Sequence, residues 1–280
     1  MIAAFNASWE KSVYDRPMSP IAIQTSLQTS LQKSTQALFS AAQRLKLRPE
    51  WITPWGLMSV HIHGIIKYLF ISKTLINTQM SAYLSANKQA TRAILALHHL
   101  PNIPYSNPTT HAELKDFFSQ NHPIVAKPTM GQRAEGVRLI KVPSELAEID
   151  LSGMIFEKYI HGPELRYLVL QGQIIAVQEK VFGGEMYTPE NSKRTSVPPE
   201  KWNQKLVEMS LKTAEVLGLG FCAVDYKQDE NGKWLVLEVN SAPALWRFEK
   251  PDEGPAVPVS ELLLKATIAE VERSLLDRQT

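Results

Sequence analysis

Cysteine is almost missing from this 280-residue chain: Cys222 stands alone. No internal disulfide can form, and the composition fits a reducing compartment. Long apolar runs are missing too. The stretch 65–71 is among the longest, carries Lys67, and falls far short of the ~20 residues that a membrane-spanning helix needs. An excess of one charge is also absent, since 30 Lys and Arg face 28 Asp and Glu for a net charge of +2. That balance gives no general reason to expect nucleic acid or an anionic membrane as partner. Glu10, Asp15 and Arg16 interrupt the N-terminus before any apolar run of the signal-peptide kind. The expectation is a cytoplasmic protein whose anion binding rests on a few placed residues.

Two familiar nucleotide signatures are missing as well. The glycines at 131 and 136 are not followed by the Gly-Lys-Ser/Thr of a Walker A loop. The strict strand–helix alternation of a dinucleotide-binding fold is also absent. What is present is 44% hydrophobic residues, enough for a buried core in one or two domains. Apolar spacing near 3.6 predicts a helix over 21–46, and others over 87–99 and 111–120. A hairpin is expected from 58–62 and 65–71, broken at His63-Gly64.

Beyond residue 124 strands follow at short intervals: 124–127, 136–142, 154–160, 165–170 and 174–182, with a tight turn at Gln171-Gly172-Gln173. Residues 183–199 read as a long polar loop. An amphipathic helix over 200–217 precedes strands 221–227 and 234–240, which flank the turn Asp229-Glu230-Asn231-Gly232. Pro258 opens a last helix to about residue 276. The reading is α+β, with a small N-terminal α/β region over 1–84 and the rest divided at about 160 into a central and a C-terminal subdomain.

Three constellations carry chemistry. Glu238 and Asn240 lie two apart on one strand and so share a face. With a four-residue turn at 229–232, Asp225 is expected opposite Val236 on that same face. Three oxygen donors would then converge, a set that suits a hard cation such as Mg2+ but also suits a solvent-facing hairpin. Second, a strand ends in Lys127-Pro128 before the loop with Gly131 and Gly136. Glycine lets backbone approach phosphate oxygens, and lysine supplies a point charge. Third, the run Glu157 to Arg166 turns at Gly162-Pro163 and places Glu164 and Arg166 on one face. Each constellation alone also reads as ordinary surface or loop. His61 and His63 alternate on a strand without a third ligand. His98-His99 reads as a helix end, Cys222 as a small core residue, and Trp51, Trp55 and Trp246 as packing.

Taken in order, Asn87-Lys88, Lys127-Pro128 with the glycine loop, Glu157 to Arg166, Asp225, and Glu238-Val239-Asn240-Ser241-Ala242-Pro243 resemble the ATP-grasp superfamily. The likeness is to glutathione synthetase, the ribosomal-protein glutamate ligase and cyanophycin synthetase, and covers about residues 80–245. Ala244 stands where many relatives carry glycine.

The resemblance implies an ATP-grasp fold, two α+β subdomains gripping ATP, with Mg2+ or Mn2+ as cofactor. It implies that Lys88 and Lys127 reach the phosphates beneath Gly131 and Gly136. Glu157, Lys158, Tyr159 and Ile160 would receive adenine, and Glu164 the ribose. Arg166 and Arg194 would face the transferred phosphate or the acceptor carboxylate. Asp225, Glu238 and Asn240 would hold the metal. The implied activity is an ADP-forming carboxylate–amine ligase on an amino acid or peptide, with homo-oligomers common among relatives. A peptide macrocyclase, a kinase, and a non-catalytic nucleotide-binding module stay open.

Overall fold

The computed structural model describes residues 25–53, 56–73, 75–131, 136–182 and 192–277. The chain begins with helix α1 (Thr25–Arg44), strand β1 (Glu50–Trp51) and the hairpin β2 (Leu57–Ile62)–β3 (Ile65–Phe70). Helices α2 (Gln79–Ala86) and α3 (Lys88–Leu97) follow, then β4 (Tyr105–Ser106), α4 (His111–Asn121), β5 (Ile124–Pro128), β6 (Arg138–Ile140) and β7 (Met154–Lys158). The remainder is β8 (Glu164–Leu170), β9 (Gln173–Phe182), β10 (Ser192–Val197), α5 (Gln204–Val216), β11 (Phe221–Gln228), β12 (Trp234–Asn240), α6 (Trp246–Glu249) and α7 (Val259–Leu276).

The strands form three sheets, in the orders β1-β2-β3, β4-β7-β5-β6 and β10-β9-β8-β11-β12. Every named pair within them is antiparallel. The α+β reading therefore holds. At the β2–β3 turn His63 and Gly64 both adopt positive φ, 49° and 77°, the twist that a two-residue hairpin turn requires. Helix α3 starts where Asn87 turns its side chain back to accept from the Ala90 amide, and His98 forms its C-cap. Helix α2, which the apolar spacing did not suggest, exposes Met80 and Tyr83 to solvent (65% and 51%). Its outward apolar residues blur the stripe by which a helix is recognised.

Each sheet packs on its own helices. The four-stranded sheet covers Leu114 and Phe118 of α4 with Ile124, Ala126, Ile140 and Phe156. One face of the five-stranded sheet, through Tyr167, Val177, Val224 and Tyr226, packs on Leu206 and Met209 of α5. Cys222 is buried in that same core. The other face shares a core with the N-terminal elements. Leu38 and Ala41 of α1 and Met58 and Val60 of β2 meet Leu168, Phe221, Leu263 and Leu264.

Two local expectations are corrected. Residues 192–197, read as part of a polar loop, form the edge strand β10, paired with β9 from Ser192↔Phe182 to Val197↔Val177. Arg194 and Ser196 point to the buried side, so the strand lacks the apolar alternation that announces one. Residues 183–191 of that loop lie outside the described residues, as do Trp55 and residues 21–24 of the first helix. The β11–β12 register also differs. Tyr226, not Asp225, lies opposite Val236, and Asp225 lies opposite Glu238. Leu237 is the extra residue of a β-bulge that shifts the register.

Because α1 shares its core with the five-stranded sheet, Leu38→Ala is expected to cost about 2–5 kcal/mol. Urea unfolding followed by both near- and far-UV dichroism should show one transition moved to lower denaturant, with no separate early N-terminal step.

Candidate active site

The chemistry-bearing side chains of the five-stranded sheet fall into two rows. Pairing places Arg194 beside Lys180, Lys180 beside Glu164 and Glu164 beside Lys227. One step along, Ser196, Gln178, Arg166, Asp225 and Glu238 lie side by side across the five strands. Except for Glu238, all of these side chains are buried. Strand alternation puts them on the face opposite α5. Unpaired charges so deep would be strongly unfavourable, and the buried carboxylates Asp225 and Glu164 are each paired with cations from both within and across the rows.

Arg166 forks onto Asp225, Nε to Oδ1 and Nη2 to Oδ2, both at 2.5 Å. Lys180 donates to Asp225 Oδ2 at 2.9 Å and also pairs closely with Glu164. Lys227 stands 3.7 Å from the second Glu164 oxygen and donates to the Gly162 carbonyl at 2.9 Å. Burial opposes the charge on Asp225, but Arg166 and Lys180 outweigh it and hold its pKa well below the usual carboxylate range. Burial likewise opposes the Arg166 charge, and Asp225 in turn holds that guanidinium protonated.

Glu238 is different. Its side chain is 48% exposed, and its nearest cation is Arg166 at 3.5 Å. Withdrawal from water and the facing Asp225 carboxylate push its pKa above the ordinary glutamate value. Asn240, two residues on, accepts the Ala242 amide at 2.9 Å and keeps a second oxygen lone pair.

The second wall of the site comes from α3, β5 and β7. Glu157 on β7 is 1% exposed, and its carboxylate is bound on both sides. Arg92 Nε donates to Oε1 at 2.8 Å and Lys127 Nζ to Oε2 at 2.6 Å. Lys88, at the start of α3, reaches the glycine loop and donates to the Pro128 and Gly131 carbonyls at 3.1 and 3.0 Å. Burial lowers the Lys88 pKa, partly offset by Glu238. Lys88, Gly131, Glu238 and Asn240 line one cleft between the two walls. Gly136 closes the described part of the loop with φ +69°, and a Cβ there would stand 2.8 Å from Pro128 Cγ, so the bend needs glycine.

The linker residues are placed as follows. Lys158 pairs with Glu230 at 2.9 Å, and Ile160 is buried with Ile103 and Leu235. The Tyr159 hydroxyl lies 3.5 Å from His161 Nδ1, and the Tyr159 amide donates to the Pro123 carbonyl at 2.9 Å. The Arg194 amide donates to Asp252 at 2.8 Å. His63 pairs with Glu272. Among the described residues no three His, Cys, Asp or Glu side chains converge as metal ligands, and no helix is long and apolar enough to cross a membrane.

Arg92 and Lys180 escaped the sequence reading. Arg92 lies four residues after Lys88 on the same helical face, and Lys180 lies two after Gln178 on the inner face of β9. Their spacings were legible; their partners, 65 and 45 residues distant, were not.

Lys88 and Gly131 face Glu238 and Asn240 across the cleft, with Arg166 paired to Asp225 on the adjoining strands and Lys127 held by Glu157 in the wall behind, an arrangement of the ATP-grasp kind. The model of the RimK-like ATP-grasp domain matches residues 85–254, and the chain belongs to that family. It is 25% identical over 197 residues to a D-alanine–D-alanine ligase of Aquifex aeolicus, covering 66% of this chain and 67% of that one. It is 25% identical over 191 residues to a probable alpha-L-glutamate ligase of Maridesulfovibrio salexigens, covering 62% of each. Among solved structures, the ATP-grasp ligase PsnB in complex with a precursor variant, Mg and ADP matches with a TM-score of 0.56. The identity is 20%, over 70% of this chain and 62% of PsnB. The chain thus spans about two thirds, or slightly less, of the length of these relatives.

The Glu157 cluster predicts an acid-sensitive fold. Burial opposes its charge, yet Arg92 and Lys127 outweigh burial and bring its pKa from 4.5 to about 2. A depressed carboxylate stabilises the fold fully above its unfolded pKa and loses that contribution as pH falls through the folded value. Glu157→Gln should therefore cost about 3 kcal/mol at pH 7 and progressively less from about pH 4.5 down to about 2. Urea titrations at pH 7 and pH 3 check the difference, and equal losses at both would exclude the linkage.

Proposed function

We propose that the protein is an ADP-forming carboxylate–amine ligase that acts on an amino acid or peptide with ATP and a divalent cation. One observation carries the reading. Lys88 and the glycine loop share a cleft with Glu238 and Asn240, while Arg166 and Asp225 continue its floor. The relatives bear the names of ligases that join amino acids, which supports the same class.

The donor set fits Mg2+ or Mn2+. Asp225 and Glu238 supply hard carboxylate oxygens and Asn240 an amide oxygen. Asp225 and Glu238 face each other across the strand pair, a like-charge contact that a divalent cation would relieve. When bound, the cation would neutralise phosphate charge. The chain's own part is positioning and electrostatics, which dominate phosphoryl transfer. Lys88 and Lys127 supply charge to the phosphates, with Lys127 held in place by Glu157.

The linker Glu157, Lys158, Tyr159 and Ile160 would receive the adenine, its backbone offering the polar contacts since the Glu157 carboxylate is engaged by two cations. Glu164 would accept the ribose hydroxyls. Arg166 and Arg194 would face the acceptor carboxylate as it takes the γ-phosphoryl group, giving an acyl phosphate and ADP. An amine then attacks the acyl carbon, phosphate leaves with the C–O bond, and the nitrogen loses a proton to give the amide. The loop around Gly131 and Gly136 would shield the acyl phosphate from water.

Phosphate and ADP release, measured with Mg2+ over pools of amino acids and peptides, should require both a carboxylate and an amine. Phosphate release independent of any amine would instead indicate a kinase or an ATPase. Glu238→Ala should lower Mg-dependent turnover by about 100-fold or more while the fold persists; undiminished turnover would remove Glu238 from the metal set. Lys127→Ala should weaken nucleotide binding about tenfold, a loss near 1.4 kcal/mol by calorimetry.

A further inference from the structure

The metal-facing strand owes its register to a residue on the opposite wall. Arg92 is 2% exposed and belongs to α3, one turn after Lys88. Its guanidinium makes four hydrogen bonds, to β7, to β12 and to Asn102 in the segment after α3. Nε donates to Glu157 Oε1 at 2.8 Å, Nη1 to Asn102 Oδ1 at 2.9 Å and to the Val236 carbonyl at 2.6 Å, and Nη2 to the Leu237 carbonyl at 2.6 Å.

Successive carbonyls of a regular strand point to opposite sides. Here two consecutive carbonyls of β12 turn to one guanidinium, at the bulge that brings Glu238 opposite Asp225. The outer edge of the strand is fixed further by the Val236 amide on the Pro101 carbonyl, and Asn102 returns a bond to the Arg92 carbonyl. The planar fork of arginine spans these acceptors at fixed angles, and a lysine cannot.

We propose that Arg92 is a positioning residue that joins the two walls of the site, setting Lys127 through Glu157 and Glu238 through the bulge carbonyls. The proposal rests on the nucleotide-and-metal reading of the cleft. Arg92 needs no contact with substrate; it fixes the separation between the cations that meet the phosphates and the carboxylates that meet the metal. Because its two arms serve different ligands, loss of one arm should be separable from loss of the other.

The test is calorimetric titration of the full chain with ADP, with and without Mg2+, in the wild type, Arg92→Lys and Glu157→Gln. Arg92→Lys retains a cation for Glu157 but cannot reach both carbonyls. Its Mg2+-free affinity should stay within about threefold of wild type, while the gain in affinity on adding Mg2+ should shrink by about tenfold or more. Glu157→Gln frees Lys127 and leaves the bulge carbonyls on Arg92, so the opposite pattern is expected: weaker Mg2+-free binding with the Mg2+ gain preserved. Retention of the full Mg2+ gain by Arg92→Lys would overturn the proposal. So would its collapse in Glu157→Gln, which serves as the test if Arg92→Lys does not fold. A wild type that binds no ADP at all would instead overturn the nucleotide reading, and the proposal with it.

Discussion

The buried carboxylate of Glu157, held between Arg92 and Lys127, is the interaction on which the arrangement of the cleft depends. A carboxylate at 1% exposure is tolerable only with both oxygens paired. That requirement fixes a lysine from β5 and an arginine from α3 at set distances from β7. The arginine still has donors to spend, and it spends them on the backbone of β12. One desolvated charge therefore ties the four-stranded sheet to the five-stranded one, and the cleft lies between them.

The floor of the cleft follows the same rule. Asp225 is fully buried and is satisfied by Arg166 and Lys180, which are satisfied in turn by Glu238 and Glu164. Each buried carboxylate of the rows, Asp225 and Glu164, therefore has two cations beside it. The exception is Glu238, half exposed at the cleft mouth and carrying a raised pKa. Of the site's carboxylates, the one held least closely by protein cations is the one that a metal ion would satisfy. Such pre-arranged charge suits a reaction that needs phosphates neutralised and aligned more than it needs a proton moved.

Much of this was legible in the sequence, and the gaps have physical causes. The helices over 111–121 and 259–276 and the strands around 124–128 and 221–228 were announced by apolar period and by Pro and Gly. The order of Lys88, Lys127, Glu157, Glu164, Asp225 and Glu238 revealed the family. Strand β10 was illegible because its inward positions hold Arg194 and Ser196, which serve the polar row instead of a core. The register of Glu238 was illegible because turn length predicts pairing only in a strand without a bulge. The bulge is held by Arg92, a contact 144 residues away in sequence. Arg92 and Lys180 share a face with recognised residues, but their partners come from distant elements and no local pattern announces them.

In the proposed ligase, the phosphates would lie between the Lys88–Lys127 wall and the Asp225–Glu238 floor. A crystal structure of the chain with a non-hydrolysable ATP analogue and Mn2+, located by its anomalous signal, tests this most directly. The metal is expected on Asp225, Glu238 and Asn240, with the phosphates reaching Lys88 and Lys127. A metal bound elsewhere, or a nucleotide that leaves this cleft open to solvent, would contradict it.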